Sequence, residues 1–147
     1  MIDLKLKAVD KVEIITLQDN YIDITALDGN AVIERAPFQL KNSIIAEHGF
    51  SAIVKTTSNH EARTLLFDFG FSADGAARNA SVLNVDMNKV EAAVLSHGHS
   101  DHTGGLEKLA AMVGKENIPF IIHPGVFKKS RYLKKSKDSR IEFPEFT

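Results

Sequence analysis

The 147-residue chain contains no cysteine, so neither a disulfide nor a thiolate metal ligand can form within it. It has almost no net charge: 18 Lys and Arg against 19 Asp and Glu give a formal charge of -1, too little to draw the whole molecule toward nucleic acid or an anionic membrane. Nor is there an uncharged apolar run long enough to cross a bilayer. The opening MIDLKLKAVD alternates charged with apolar residues and has no long apolar stretch of the signal-peptide kind. These absences predict a soluble, cytoplasmic protein with no membrane contact. The rest of the composition is ordinary: 44% hydrophobic and 25% charged residues, at a length typical of one domain with a real core.

Charge is unevenly placed. Residues 1–127 carry 11 Lys and Arg against 16 Asp and Glu, whereas residues 128–147 carry 7 against 3. The stretch KKSRYLKKSKDSR is thus a basic tail on an acidic body, read as a solvated helix face or a mobile end. Phosphate or nucleic-acid binding is the alternative. That stretch has a single aromatic residue, Tyr132, for base stacking, which argues against a nuclease.

Alternating apolar residues predict strands over 12–17, 50–55 and 64–68, with a hairpin connection at 57–61 that leaves His60 exposed. A short helix is predicted over 76–83, and an apolar strand over 91–96. Leu106, Leu109, Ala110 and Val113 form a stripe at helical spacing, with Thr103 suited to the N-cap and Gly114 to the stop. A last strand is predicted over 119–123, closed by Pro124-Gly125. Strands followed by alternating strands and helices predict a mixed α/β layer structure.

Between a predicted strand and helix lies LSHGHSDHTGG, residues 95–105, where three of the six histidines and one aspartate fall within six residues. His97 and His99 are two apart in an extended segment, so their side chains project the same way and can converge on one metal. Asp101 and His102 follow as the chain turns, and can face a second point nearby. Imidazole and carboxylate together suit a divalent ion: zinc first, with iron and manganese accepted by the same ligands. Gly104 and Gly105 would let the backbone pass close beneath the metals.

The stretch SHGHSDHTGG resembles the H-x-H-x-D-H signature of the metallo-β-lactamase superfamily. The resemblance extends back through residues 65–70 (LLFDFG), which match a strand ending in D-x-G, and through Asn79, Leu83 and residues 94–96. Asp19-Asn20, residues 46–51 (AEHGFS) and His123-Pro124 are similar to a narrower branch, the dihydropteroate-like (ribofuranosylaminobenzene 5′-phosphate) synthases of methanopterin biosynthesis. The match covers most of residues 12–127.

The resemblance implies that His97 and His99 ligate a first metal, and Asp101 and His102 a second. Asp101 would also orient a metal-bound hydroxide that attacks the substrate. Asp68 would act behind the ligands, fixing the loop or a histidine tautomer, although a plain strand-end turn explains it too. His48 and His123 would line the substrate pocket, or serve as structural hydrogen-bonding groups. The implied fold is a four-layer αββα sandwich of two similar halves, of which residues 1–127 resemble the first, with the basic segment 128–147 leading into the second. Later family elements supply three more ligands, yet after His102 this sequence has only His123 and Asp138. A missing C-terminal half, or a second copy self-associating through the uncovered sheet face, would supply them. The implied function is a dinuclear, metal-dependent hydrolase acting on a small molecule. The alternatives are a synthase acting on a phosphorylated pterin-type substrate and a non-catalytic metal-binding fragment.

Overall fold

The computed structural model describes residues 7–129 and 131–146, so the first six residues of the opening segment lie outside the description. Three antiparallel strands begin the fold: β1 (Lys11–Gln18), β2 (Ser51–Ser58) and β3 (Glu61–Phe67). Asn59 and His60 join the last two at φ 49° and 69°, the doubly positive backbone of a tight hairpin turn that follows the strands' twist. His60 is exposed there, as predicted.

β4 (Val90–Leu95) and β5 (Phe120–Ile122) add in parallel, completing the sheet order β1-β2-β3-β4-β5. Parallel neighbours need crossover connections. α1 (Gly75–Val82) lies between β3 and β4, while α2 (Ser100–Thr103) and α3 (Leu106–Val113) lie between β4 and β5. The expected mixed α/β class is observed.

The sheet register sorts its side chains into two faces. Ile53, Leu66 and Ala93 are paired across β2, β3 and β4 and lie in the core with Ala76, Ala77 and Ala80 of α1 and Leu109 and Val113 of α3. Alanines on α1 let that helix approach the sheet closely. Leu109 is fully buried, which is worth about 1.5–3 kcal/mol relative to exposure. The opposite face carries the row Ile14, Val54, Leu65 and Ala92, with Ile121 in the neighbouring row. Ile14 is 64% exposed and Ile121 58%, so this apolar face is open at its edges.

Two expectations are corrected. Thr103 does not cap α3: Gly104 N–H donates to Ser100 O, closing a separate helical turn that ends at Thr103, and Gly105 takes the cap position. Among its described residues the basic tail is largely exposed, as expected, but extended and not helical. Tyr132–Lys134 (β6) and Arg140–Glu142 (β7) form an antiparallel hairpin, its turn closed by Lys135 and Ser136 N–H groups donating to Ser139 O. Gly114 does stop α3, in the left-handed conformation at φ 62°.

Candidate metal centre

The site forms at the carboxyl ends of β3 and β4, where ligands gather in open α/β sheets because the strands end and the loops diverge. Asp68 follows β3 directly, and Ser96 and His97 follow β4. Asp68 is 1% exposed and adopts φ 53°, a left-handed conformation that aspartate tolerates better than most residues. Its own N–H donates to Val94 O, fixing it across the two strands.

This one carboxylate organises two histidines. Oδ1 accepts from the Ser96 N–H at 2.7 Å, and Oδ2 accepts from the Ser96 hydroxyl and from His102 Nδ1–H, each at 2.7 Å. An ionised carboxylate only accepts, so His102 must carry its proton on Nδ1, leaving Nε2 with a free lone pair. The Ser96 hydroxyl has spent its proton on Asp68, so at 2.9 Å it accepts from His97 Nδ1–H. The lone pair of His97 is therefore also on Nε2. That atom lies 3.0 Å from His99 Nδ1. Moving the His99 proton to its outer nitrogen turns both lone pairs toward one region.

Asp101 lies in the first turn of α2, its backbone carbonyl accepting from the Phe50 N–H at 3.2 Å. Its Oδ2 stands 3.4 Å from His102 Nε2 and 3.3 Å from His48 Nε2. Two donors on a tetrahedral zinc with arms of about 2.0–2.1 Å stand roughly 3.3 Å apart. The pairs His97/His99 and Asp101/His102 both come close to this, so the donor set fits a divalent ion pair by pair. Among the described residues, no three His, Asp or Glu side chains surround one point in metal-binding geometry. Burial holds the His97 imidazole below its ordinary pKa, with the neighbouring His102 and His99 acting in the same direction and Asp68 and Asp101 opposing it. A lowered pKa keeps His97 neutral, the state in which imidazole binds metal.

The structure thus brings together His97, His99, Asp101, His102, Asp68 and the largely exposed His48. His123 emerges from the same end of the sheet, after β5, but its Nδ1 accepts from the Gly125 N–H and caps the 3₁₀ turn Pro124–Phe127. Gly104 and Gly105 serve a different contact from the one expected. A Cβ on either would collide with the backbone carbonyl of Phe71 or Phe69, so they let the loop dock on segment 69–71. A cavity of about 440 Å³ lined by Asp19, Tyr21, Arg35, Phe38 and Asn79 includes none of the clustered residues. Sequence reasoning did not single out Ser96, although its hydroxyl ahead of His97 was a usable signal. Arg131 and Phe143 also reach the loop, and nothing local in sequence announces them.

Residues 46–129 match the sequence profile of the Metallo-beta-lactamase superfamily. A 7,8-dihydropterin-6-methyl-4-(beta-D-ribofuranosyl)-aminobenzene-5′-phosphate synthase of Methanocaldococcus jannaschii is 31% identical over 127 residues, covering 86% of this chain and 37% of its own. The chain therefore spans little more than a third of the length of that curated relative. Among solved structures, a metallo-β-lactamase of Cronobacter sakazakii with an HARLDQ motif is 30% identical, with TM-score 0.34, over 44% of this chain and 25% of its own. A B3 metallo-β-lactamase with an active-site glutamic acid is 18% identical, with TM-score 0.37, over 68% of this chain and 41% of its own.

Proposed function

The chain belongs to the metallo-β-lactamase superfamily, and on that premise we propose that it carries half of the divalent-metal centre of a hydrolase acting on a small molecule. The observation that carries this reading is the pair of donor sets, 3.0 Å and 3.4 Å apart, anchored through one buried carboxylate. His97 and His99 hold one ion, and Asp101 and His102 a second; zinc is the proposed metal, with iron and manganese as substitutes. A divalent ion bound there supplies Lewis acidity, which makes water a nucleophile near neutral pH and polarises the group under attack. Asp68 and Ser96 keep the His102 and His97 lone pairs outward, so neither ring must exchange a proton before binding. Asp101, 21% exposed, keeps a free oxygen to accept a hydrogen bond from the attacking water and orient it. His48, exposed beside it, is placed to contact substrate.

Each donor pair needs further ligands, and a C-terminal half docked on the open sheet face supplies them. Self-association of two copies through that face is the alternative. The test is turnover by the metal-loaded protein of esters, thioesters and phosphodiesters, with and without Asp101→Asn. Turnover abolished by the substitution and by chelator supports a hydrolase. Turnover indifferent to both refutes it, and bound metal with no turnover favours a non-catalytic binding module.

A second reading is favoured by the 31% identity to the methanocaldococcal synthase across 86% of the chain. Here the same centre serves a condensation on a phosphorylated pterin-type substrate, with His123, Lys128 and Lys129 meeting the phosphate. Weaker binding of a phosphorylated ligand after alanine replacement of those three residues supports this reading, and unchanged binding refutes it.

A further inference from the structure

The tail hairpin is strapped to the histidine loop. Arg131 Nη1 donates to Gly98 O at 2.6 Å, and Nη2 donates to Pro144 O at 2.9 Å. The Phe143 N–H donates to Arg131 O at 2.8 Å, tying the two ends of the hairpin together. The Phe143 ring then stacks on the His99 imidazole, with centroids 4.9 Å apart and planes 22° from parallel. Gly98 lies beneath this clamp, where a Cβ would meet Arg131 Nη1 at 2.6 Å and Val126 Cγ1 at 2.8 Å. The Nε of Arg131 is itself buried, so the guanidinium is embedded in the contact.

We propose that residues 131–144 form a strap that sets His99 against His97, with Arg131 and Phe143 as positioning residues of the metal centre. His97 is fixed through Ser96 and Asp68, whereas the ring of the exposed His99, in the loop between β4 and α2, hydrogen-bonds only back to the His97 ring among the described residues. A charge-assisted bond to the carbonyl between the two histidines holds the backbone. The stacked ring removes the χ1 rotations that would swing His99 away. Ligands must be held to within about 0.5 Å for a site to be pre-organised, and the strap does for His99 what Asp68 does for His102. The seven basic residues of the tail thus include one, Arg131, that is structural and not a solvated charge.

This inference rests on the metal reading, and the test separates the two. The full chain is compared with Phe143→Leu, Phe143→Trp and Arg131→Ala. Without metal, the His99 ring protons, followed by NMR, are expected upfield from the Phe143 ring current. They move downfield in Phe143→Leu, keeping only the contribution of the neighbouring His97 ring, and move upfield again in Phe143→Trp. Titrated with Co²⁺, Phe143→Leu and Arg131→Ala bind roughly 10–100-fold more weakly, the range for groups that orient metal ligands. His99 resonances unmoved by Phe143→Leu overturn the strap. Resonances that move while Co²⁺ affinity stays within twofold overturn its role in positioning a ligand. Co²⁺ binding that survives replacement of all four donors, His97→Ala, His99→Ala, Asp101→Asn and His102→Ala together, refutes the metal reading instead, leaving the strap to be judged on the ring shifts.

Discussion

Replacing Asp68 by Asn changes little in shape, and asparagine tolerates the φ of 53° found there. What changes is the charge and the number of acceptors. The carboxylate takes three hydrogen bonds of 2.7 Å in a site 1% exposed. The amide can keep its oxygen for the Ser96 N–H, but its NH₂ then faces both the Ser96 hydroxyl and His102 Nδ1. His102 must become an acceptor at Nδ1 and move its proton to Nε2. The Ser96 hydroxyl, now an acceptor from Asn, turns its proton toward His97 Nδ1 and reverses that ring as well. Bonds to a charged group are worth about 1.5–3 kcal/mol each. Losing charge assistance in all three, partly recovered by the new pairings, should cost roughly 2–4 kcal/mol. For a domain of this size that lowers the melting temperature by roughly 5–10 °C. Calorimetry with chelator present measures the loss, and ¹⁵N shifts of the two imidazoles report the reversal directly. A melting temperature within 1 °C of the parent, with both rings still protonated at Nδ1, would refute the account of Asp68.

Gly104→Ala tests the docking of the loop. Gly104 is helical at φ -61°, so alanine meets no backbone penalty, but its Cβ would collide with Phe71 O. Overpacking of this kind costs about 1–3 kcal/mol, read as a lower urea midpoint with unchanged slope; an unaltered midpoint contradicts the packing described. The pH dependence of stability tests His97. Because its folded pKa lies below the ordinary 6.5, the unfolded chain takes up a proton first as pH falls. Stability from this group is intact above about pH 6.5 and is lost as pH falls through 6.5 toward the depressed value. Urea midpoints between pH 7.5 and 5 should fall less steeply in His97→Gln than in the parent, and identical slopes would contradict the shift.

The strands were legible because each pairs an apolar alternation with a turn signal, and the Asn59-His60 hairpin falls where polar residues cluster. The crowding of His97, His99, Asp101 and His102 was legible too, since four metal-loving groups on one short loop can hardly avoid one another. Asp68 was legible only through the resemblance, from its place in the D-x-G match; that its strand ends beside theirs comes from the parallel pairing of β3 and β4. Thr103 misled because its capping chemistry is real, yet Gly104 and Gly105 dock on segment 69–71 and move the start of α3 two residues on. The tail misled for a different reason. Its Lys and Arg content speaks only of solvent, whereas the Arg131 bond to Gly98 and the Phe143 stack on His99 span 33 and 44 positions, beyond any local pattern. His123 was the reverse case, a histidine in a suggestive place whose nitrogen is engaged by its own turn.

The central claim is that the 97–102 loop is a metal centre, and the most direct measurement is a Zn²⁺ titration followed through the ring resonances of all six histidines. The account predicts that His97, His99 and His102 respond first and together, and that His60 and His123 stay unmoved until zinc is in large excess. Zinc that perturbs His60 or His123 first, or that leaves the His97 and His99 rings unchanged, would contradict it.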